Sequence, residues 1–384
     1  MSSPSFREIL ARMVALDTTS ERSNLPFIDL VCELVDRPGV LINRHLTTDG
    51  VKANLVVATG PEAGAGRDGL VLCGHTDTVP ATEPGWRSDP WTLTAEDGRL
   101  VGRGAADMKG FLALAVDAFA AVDPARLEAP LALLFTHDEE LGTLGARRFV
   151  ESSSEESAAL PRRTIVGEPT GLRAVRMHKG HVRIRIDVRG VPAHSAYPHL
   201  GRSAIEPAAR AIVALVALRE ALAGERPEHA AAFEPVPFVP LNVGGVNGGV
   251  ADNVVPDRCV IDLGLRPLPG METGPLVERV RAAIAPALQG EEWSLELVNE
   301  SPPAIVPGDA DHYRWLAGET GEADSVSFAT DAGWLQRAGF ECVVWGPGSI
   351  EVAHKPNEWV PVAELGRAGE VLGRAVARFC GGGA

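Results

Sequence analysis

Short, continuous apolar runs that end in clusters of histidine, aspartate and glutamate constrain the fold of this chain most. One run covers residues 69–73 and leads to His75 and Asp77, and another covers residues 131–136 and leads to an acidic cluster at residues 137–140. Strands that are apolar at every position are typical of a sheet covered on both faces, and in open α/β sheets ligands bind at the carboxyl ends of the strands. The pattern therefore predicts an α/β domain whose polar loops converge at one edge of a sheet.

Three further polar residues lie in turns or loops beside predicted strands and helices. Asp107 lies in the turn before an apolar segment at residues 111–122 that predicts a helix, Glu168 follows a short strand at residues 164–167, and His354 lies in a loop rich in glycine and proline. Taken alone, Asp107 is interpreted as an ordinary helix cap, and the acidic cluster as a solvated surface loop. A shared cation explains why so many ionisable groups directly follow buried strands.

Five of these side chains form a set of donors for divalent cations: His75, Asp107, Glu140, Glu168 and His354. Nitrogen and oxygen donors without cysteine suit zinc, and cobalt or manganese as substitutes. Two cations bring four positive charges, which the three carboxylates and one hydroxide balance, so that a site with two Zn²⁺ ions can be buried. Asp77 is expected to accept a hydrogen bond from the second ring nitrogen of His75 and so to orient the imidazole.

The hydrophobic pattern changes near residue 180. Residues 181–189 alternate strictly between apolar and polar side chains, which predicts a strand with one solvated face. The succession that follows is β-α-β-β-α-β, a ferredoxin-like order, with helices at residues 202–223 and 275–288 and strands at 238–244, 258–265 and 293–298. We therefore predict a discontinuous three-layer domain with a mixed sheet at residues 1–180 and 293–384, and an inserted α+β domain at residues 181–292. Residues 152–157 are expected to form a solvated linker, and residues 244–249 a flexible turn.

Composition excludes several classes of function. The 384 residues carry a formal charge of −15, which disfavours nucleic acid and anionic membranes as partners. The five cysteines are odd in number and contain no C-x-x-C pair, and the first residues lack the apolar core of a signal peptide. These features predict a soluble metabolic enzyme in the cytoplasm.

Five spaced motifs in this chain resemble those of a known protein family. The resemblance depends on their order along the chain, because no single motif is specific enough. The motifs are Gly74-His75-Thr76-Asp77, Ala106-Asp107-Met108-Lys109-Gly110, Asp138-Glu139-Glu140, Gly167-Glu168-Pro169-Thr170 and Ala353-His354-Lys355-Pro356-Asn357-Glu358. Together they resemble the M20 co-catalytic metallopeptidase and deacylase family, and within it the acetylornithine deacetylases, nearly from end to end of the chain.

The resemblance implies a role for each donor. One zinc is bound by His75 and Glu168, the other by Glu140 and His354, and Asp107 bridges the two. Glu139 is implied to be the general base that accepts the proton of the attacking water and returns it to the leaving amine. The family also has a cis peptide bond after the bridging aspartate, so Asp107-Met108 is where one is expected.

The resemblance assigns the inserted domain as a lid through which two chains dimerise. It implies that His194 stabilises the oxyanion and that Asn253 and Arg266 bind the carboxylate of the substrate. Without the resemblance, an equally good interpretation of His194 is a histidine in a surface turn. For Arg266 it is an ion pair with an acid of its own domain. Whether His194 acts within its own subunit or across a dimer stays open.

The implied reaction is removal of the acetyl group from N2-acetyl-L-ornithine, a small N-acyl amino acid, in arginine synthesis. Succinyl-diaminopimelate desuccinylase and other N-acyl-amino-acid deacylases, including one that prefers acetylcitrulline, use the same donor set and remain alternatives. A non-catalytic binding protein that kept the fold is the alternative from another functional class, and the presence of Glu139 disfavours it.

Overall fold

The computed structural model describes residues 4–62 and 67–381, so the outer ends of the predicted domains at Met1 and Ala384 lie outside the described residues. The chain divides into two compact units. Unit 1 consists of Met1–Met177, Ile305–Asp324 and Thr330–Ala384, and unit 2 consists of His178–Ala304 and Ser325–Ala329.

The described residues contain ten α-helices and sixteen strands. The helices are α1 Phe6–Val14, α2 Leu25–Val35, α3 Lys109–Ala120, α4 Leu144–Ser152, α5 Ser154–Ala159, α6 Ile205–Gly224, α7 Thr273–Ile284, α8 Asp311–Thr320, α9 Ala332–Arg337 and α10 Val362–Cys380. The strands are β1 Val40–Leu46, β2 Ala53–Thr59, β3 Leu70–His75, β4 Thr94–Glu96, β5 Arg99–Val101, β6 Leu131–Thr136, β7 Arg163–Val166, β8 Ala174–His178, β9 His181–Arg189, β10 Leu241–Gly248, β11 Arg258–Leu265, β12 Glu292–Ser301, β13 Ala304–Ile305, β14 Glu322–Val326, β15 Glu341–Val344 and β16 Trp359–Pro361.

A mixed nine-stranded sheet forms the centre of unit 1. Its strand order is β1-β2-β6-β3-β7-β15-β8-β13, with β14 paired to β8. The strands β6, β3, β7 and β15 run parallel to one another, whereas β1, β2 and β8 pair in antiparallel fashion. The mixed sheet predicted from the sequence is therefore confirmed.

Helices cover both faces of this sheet. Every side chain of β3 and β6 is buried, which requires packing on each face and explains the continuous apolar sequence of these strands. Helices α1, α2 and α10 pack around α3, and α4 packs against α5 and α9 as a second group. The apolar residues between the sheet and the group of α1, α2, α3 and α10 form one core cluster, in which Phe111, Phe135 and Trp345 are buried.

A small three-stranded sheet of order β16-β5-β4 joins distant parts of unit 1. Strand β16 pairs antiparallel with β5, so that Trp359 faces Val101. The segment before β16 and the segment after β5 are consequently neighbours at one end of this sheet, although some 250 residues of sequence separate them.

Unit 2 contains a four-stranded antiparallel sheet of order β10-β11-β9-β12. The elements follow the predicted β-α-β-β-α-β succession, with α6 after β9 and α7 after β11. Strand β9 occupies the predicted residues, and its buried and more exposed positions alternate as the sequence pattern indicates.

Three sequence-based predictions differ from the structure: one domain boundary, one linker and one turn. Strand β12 pairs with β9 over its whole length, so the chain re-enters unit 1 at Ile305 and not at residue 293. The predicted linker at residues 152–157 is helical except at Ser153, which lies between α4 and α5. The predicted flexible turn at residues 244–249 mostly belongs to β10. In β10 a bulge between Val243 and Gly245 accommodates the glycines while the pairing with β11 continues.

None of the helices in the described part of the chain is both long and apolar enough to cross a membrane. All five cysteines are buried and none forms a disulfide.

Candidate metal centre

His75 ends β3 and contacts Asp107 directly. Its Nε2 atom lies 3.0 Å from Oδ1 of Asp107, and its Nδ1 atom lies 2.9 Å from the backbone carbonyl oxygen of Asp77. The carboxylate of Asp77 is farther from Nδ1, at 3.6 Å. The backbone carbonyl of Asp77 is thus the nearer acceptor for the imidazole. The sequence had predicted the side-chain carboxylate of Asp77 in this role.

The carboxylate of Asp77 binds the acidic loop that follows β6. Its Oδ1 atom accepts a hydrogen bond from the backbone N–H of Glu139 (3.1 Å), and its Oδ2 atom accepts one from that of Glu140 (3.2 Å). The hydroxyl of Ser20 also donates to Oδ2 at 2.7 Å. Asp77 therefore fixes the backbone of two acidic residues at once, and Ser20 is a member of the site that sequence analysis missed.

The five predicted donors form two overlapping groups. In each group of three, one donor atom from every residue lies within 4.8 Å of the others. The first group is His75, Asp107 and Glu168, and the second is Asp107, Glu140 and His354. The structure therefore brings all five side chains together, and Asp107 belongs to both groups.

The two oxygens of Asp107 face different histidines. Oδ1 lies 3.0 Å from Nε2 of His75, whereas Oδ2 lies 3.1 Å from Nε2 of His354. The same nitrogen of His354 is 2.9 Å from Oε1 of Glu140. A carboxylate that offers one oxygen to each group has the arrangement required of a bridging ligand. The peptide bond between Asp107 and Met108 is cis, as the resemblance implied.

Burial and like charge raise the pKa values of several carboxyl groups here. The pKa of Glu139 lies well above its ordinary value because the group is buried and because Glu168 and Glu140 are close. Burial and the charge of Asp107 raise the pKa of Glu168 in the same way. Several acids placed in one low-dielectric space destabilise one another unless positive charge is supplied.

The carboxylates also raise the pKa values of the two histidines that face them. Hydrogen bonds to Asp107 and Glu140 raise the pKa of His354 to about 10. Burial opposes the charged form of His75, yet its contacts with Asp107 and Asp77 raise its pKa well above the ordinary value. Imidazoles that face carboxylate oxygens through Nε2 present the atoms that bind metals, so this set of donors fits divalent cations.

The predicted catalytic residue His194 and the predicted substrate-binding residue Asn253 lie together in unit 2. The backbone N–H of Ser195 donates to the carbonyl oxygen of Asn253 at 2.9 Å, and His194 forms a β-bridge with Val254. The Nδ1 atom of His194 accepts the N–H of Ala196 at 3.1 Å, which places the proton of the neutral ring on Nε2. The exposed imidazole of His194 therefore has a hydrogen-bond donor at Nε2.

Arg266 lies in another part of unit 2, directly after β11. Burial is the main cause that lowers the pKa of His178 and of His181 to about 4, and the charge of Arg266 contributes to both shifts. Burial and Arg266 also lower the pKa of Lys179 to about 8. Arg266 therefore lies close to three basic residues, His178, Lys179 and His181.

Two buried ionisable groups beside the centre also escaped sequence analysis. Asp331 precedes α9, accepts a hydrogen bond from Thr136, and has a pKa raised by burial to about 6. Lys109 begins α3, donates from Nζ to the carbonyl oxygen of Leu16 at 2.8 Å, and has a pKa lowered by burial to about 7. Asp331 belongs to none of the sequence motifs, and Lys109 is part of the Asp107 motif but had no assigned role.

Comparison with protein families identifies the relatives of this chain. The family described as Peptidase family M20/M25/M40 matches residues 71–378, which include every donor of the two groups. The chain belongs to the M20 peptidase family. This family is metal-dependent, and the two groups are its candidate metal-binding residues in this chain.

Two related proteins align with this chain over nearly its whole length. The acetylornithine deacetylase of Myxococcus xanthus is 41% identical, with 99% of this chain and 98% of the relative covered. That of Proteus mirabilis is 35% identical, with 98% and 97% covered.

Solved structures with lower sequence identity share the fold. The M20 family metallo-carboxypeptidase Sso-CP2 from Sulfolobus solfataricus has a TM-score of 0.76 at 18% identity, with 97% of this chain and 98% of that chain covered. Aminopeptidase PepT from Bacillus cereus has a TM-score of 0.72 at 21% identity, with 98% of each chain covered. The α/β mixed-sheet architecture of this chain is therefore that of M20 peptidase structures.

Proposed function

We propose that this protein is a metal-dependent amidohydrolase that removes the acetyl group from N2-acetyl-L-ornithine and releases L-ornithine and acetate. The observation that carries the proposal is the pair of overlapping donor groups that share Asp107, with Glu139 next to a donor in sequence. The choice of substrate is supported by the relatives named acetylornithine deacetylase, which match nearly the full length of the chain.

We assign the donors to two Zn²⁺ ions, for which Co²⁺ or Mn²⁺ can substitute. His75 and Glu168 would hold one ion, Glu140 and His354 would hold the other, and Asp107 would be shared by both because it belongs to both donor groups. Bound cations of this kind polarise an amide carbonyl and lower the pKa of coordinated water to about 7.

The protein supplies a base whose backbone is fixed. Glu139 follows the strand β6 and precedes a donor, and the carboxylate of Asp77 holds its backbone N–H at 3.1 Å. The carboxylate of Glu139 accepts a proton from the attacking water, and the resulting carboxylic acid donates that proton to the leaving amine.

Unit 2 is proposed as the lid that contributes substrate contacts and as the surface through which two chains form a homodimer. The planar guanidinium of Arg266 suits the α-carboxylate of the substrate. Asn253 is proposed as a second carboxylate-binding residue. We also propose a cytoplasmic location, consistent with five cysteines that form no disulfide.

His194→Ala should lower kcat by roughly 100-fold or more while the bound cations remain. The reason is that Nε2 of His194 carries a proton that stabilises the developing oxyanion, a contact of the transition state and not of the metal. Steady-state kinetics together with metal content checks this expectation. His199→Ala is the matched control because His199 is also exposed and also contacts the ring of Tyr197. An unchanged kcat for His194→Ala would assign this histidine to the structure of its turn.

The substrate is tested by steady-state rates on a panel of amides. With added Zn²⁺ or Co²⁺, kcat/KM should be highest for N2-acetyl-L-ornithine and lower for acetylcitrulline and N-succinyl-diaminopimelate. A site with fixed polar contacts discriminates strongly against substrates that leave those contacts unpaired. A preference for the succinylated compound would instead identify a desuccinylase, and no hydrolysis of any amide on the panel would contradict the proposed reaction class.

A further inference from the structure

A buried glutamate outside both donor groups holds the backbone of the Asp107 turn. Oε1 of Glu358 accepts the backbone N–H groups of Ala106 (2.9 Å) and Asp107 (3.0 Å), and Oε2 accepts that of Gly104 (3.1 Å). The backbone carbonyl of Glu358 accepts a fourth N–H, from Gly102, at 2.9 Å. One residue therefore binds four amides of the segment that leads to the shared donor.

The same glutamate lies four residues after His354. Strand β16 begins at Trp359, directly after Glu358, and its antiparallel pairing with β5 aligns Glu358 with the start of the Asp107 turn. The loop that carries His354 and the turn that carries Asp107 are thus fastened to each other at Glu358. The backbone at His354 has a φ of 59°, a conformation that few non-glycine residues adopt without support from their surroundings.

Arg103 completes this connection. Its Nη1 atom donates to Oε2 of Glu358 at 3.0 Å and to the carbonyl oxygen of Lys355 at 3.4 Å, whereas its Nη2 atom donates to the carbonyl oxygen of Pro80 at 3.0 Å. Glu83 is a further partner of Nη2. Arg103 and Glu358 are each 1% exposed, and the charge of the guanidinium compensates that of the buried carboxylate.

Three donor-bearing segments therefore meet at one ion pair. Pro80 follows the segment of His75, Lys355 follows His354, and the amides bound by Glu358 precede and include Asp107. Gly104 fits this arrangement because its φ is 78° and because an added Cβ would lie 2.8 Å from the side chain of Thr78.

We propose that Glu358, paired with Arg103, is a positioning residue that sets the separation of Asp107 and His354 and thereby the affinity of both cation sites. The inference rests on the proposed two-cation function. Glu358 touches neither the substrate nor the cations, and acts through the backbone of the donors. Residues that hold metal ligands in place typically change metal affinity 10- to 100-fold when they are replaced.

Glu358→Gln is the test, because it keeps the size of the side chain while replacing one acceptor oxygen with an NH₂ group. That group faces N–H donors in either orientation, so at least one amide of the Asp107 turn loses its acceptor. Titration calorimetry of the cation-free protein with Zn²⁺ should show both equivalents bound roughly 10-fold or more weakly. The visible absorption bands of the Co²⁺ form should also change, because they report the geometry of the ligands.

Gln336→Glu is the matched control, since it exchanges the same two groups in the opposite direction. Both hydrogen bonds of the Gln336 amide go to the backbone of Ile305, outside the donor groups. This variant should lose thermal stability but retain both wild-type dissociation constants. If Glu358→Gln does not fold, Arg103→Lys takes its place, because lysine retains the positive charge but loses the forked contacts of the guanidinium. Arg103→Lys should weaken the binding of both equivalents of Zn²⁺ in the same way.

The outcomes separate this inference from the proposed function. If folded Glu358→Gln binds Zn²⁺ with the wild-type dissociation constants and has the wild-type Co²⁺ spectrum, the positioning role is overturned. The two-cation site itself is not affected by that result. If the wild-type protein itself binds fewer than two divalent ions, the proposed function fails, and the inference that rests on it fails as well.

Discussion

Glu139→Gln should abolish hydrolysis and leave both cations bound. Glutamine has the size of glutamate but no basic oxygen that accepts a proton from water, and Glu139 belongs to neither donor group. Loss of a general base lowers rates by roughly 10² to 10⁴. The hydrogen bond from its backbone N–H to Asp77 does not involve the side chain, so the loop that carries Glu140 should keep its position.

The measurement combines kcat on acetylornithine with metal content and zinc affinity of the same sample. Glu151→Gln is the control, because Glu151 is an exposed glutamate on α4 whose partner is Arg147, and its neutralisation removes the same charge. The control should hydrolyse at the wild-type rate. If Glu139→Gln turns over within a few-fold of the wild type, Glu139 is not the base; if it loses metal, the residue is a ligand.

The parts of the site that follow long apolar strands were predictable from the sequence. His75 ends β3 and the acidic cluster follows β6, and these two strands are parallel neighbours whose carboxyl ends lie side by side. Continuous apolar runs predict such strands because both of their faces are covered. For this reason the local sequence was sufficient to predict that His75 and the acidic cluster with Glu140 would lie at the same edge of the sheet.

His354 required information that local pattern does not contain. The sheet that brings its loop to Asp107 consists of strands of three residues, which are too short to show a hydrophobic period. The ion pair of Arg103 and Glu358 joins positions 255 residues apart, and neither residue is distinguishable from a surface charge by composition. Only the spaced motifs of the family connected His354 with the other donors.

Errors in the inserted domain have a similar cause. The glycines at residues 244–248 suggested a turn because glycine weakens a strand in isolation, yet the ladder with β11 and a bulge keep them in β10. The boundary at residue 293 was misplaced because β12 is held by β9, more than 100 residues earlier, and not by any local signal.

The largest effect on metal binding should come from Asp107→Ala, which should remove both cations at once. Each oxygen of Asp107 faces a different imidazole, so this change deletes one ligand from both groups, whereas Glu168→Ala and His354→Ala each delete a ligand from one group. After dialysis against a weak chelator, we expect two equivalents of zinc in the wild type, about one in each of the latter variants, and almost none in Asp107→Ala.

Thermal unfolding with and without zinc provides an independent measure of the same difference. A ligand at 100 times its dissociation constant stabilises the native state by about 2.7 kcal/mol for each site, so zinc should raise the unfolding temperature of the wild type and a chelator should reverse the change. Asp107→Ala should unfold at the same temperature with zinc as without it, and Glu168→Ala and His354→Ala should show part of the wild-type gain. Two retained equivalents in Asp107→Ala would rule out a shared carboxylate, because deletion of a ligand that both sites use should weaken the binding of both ions.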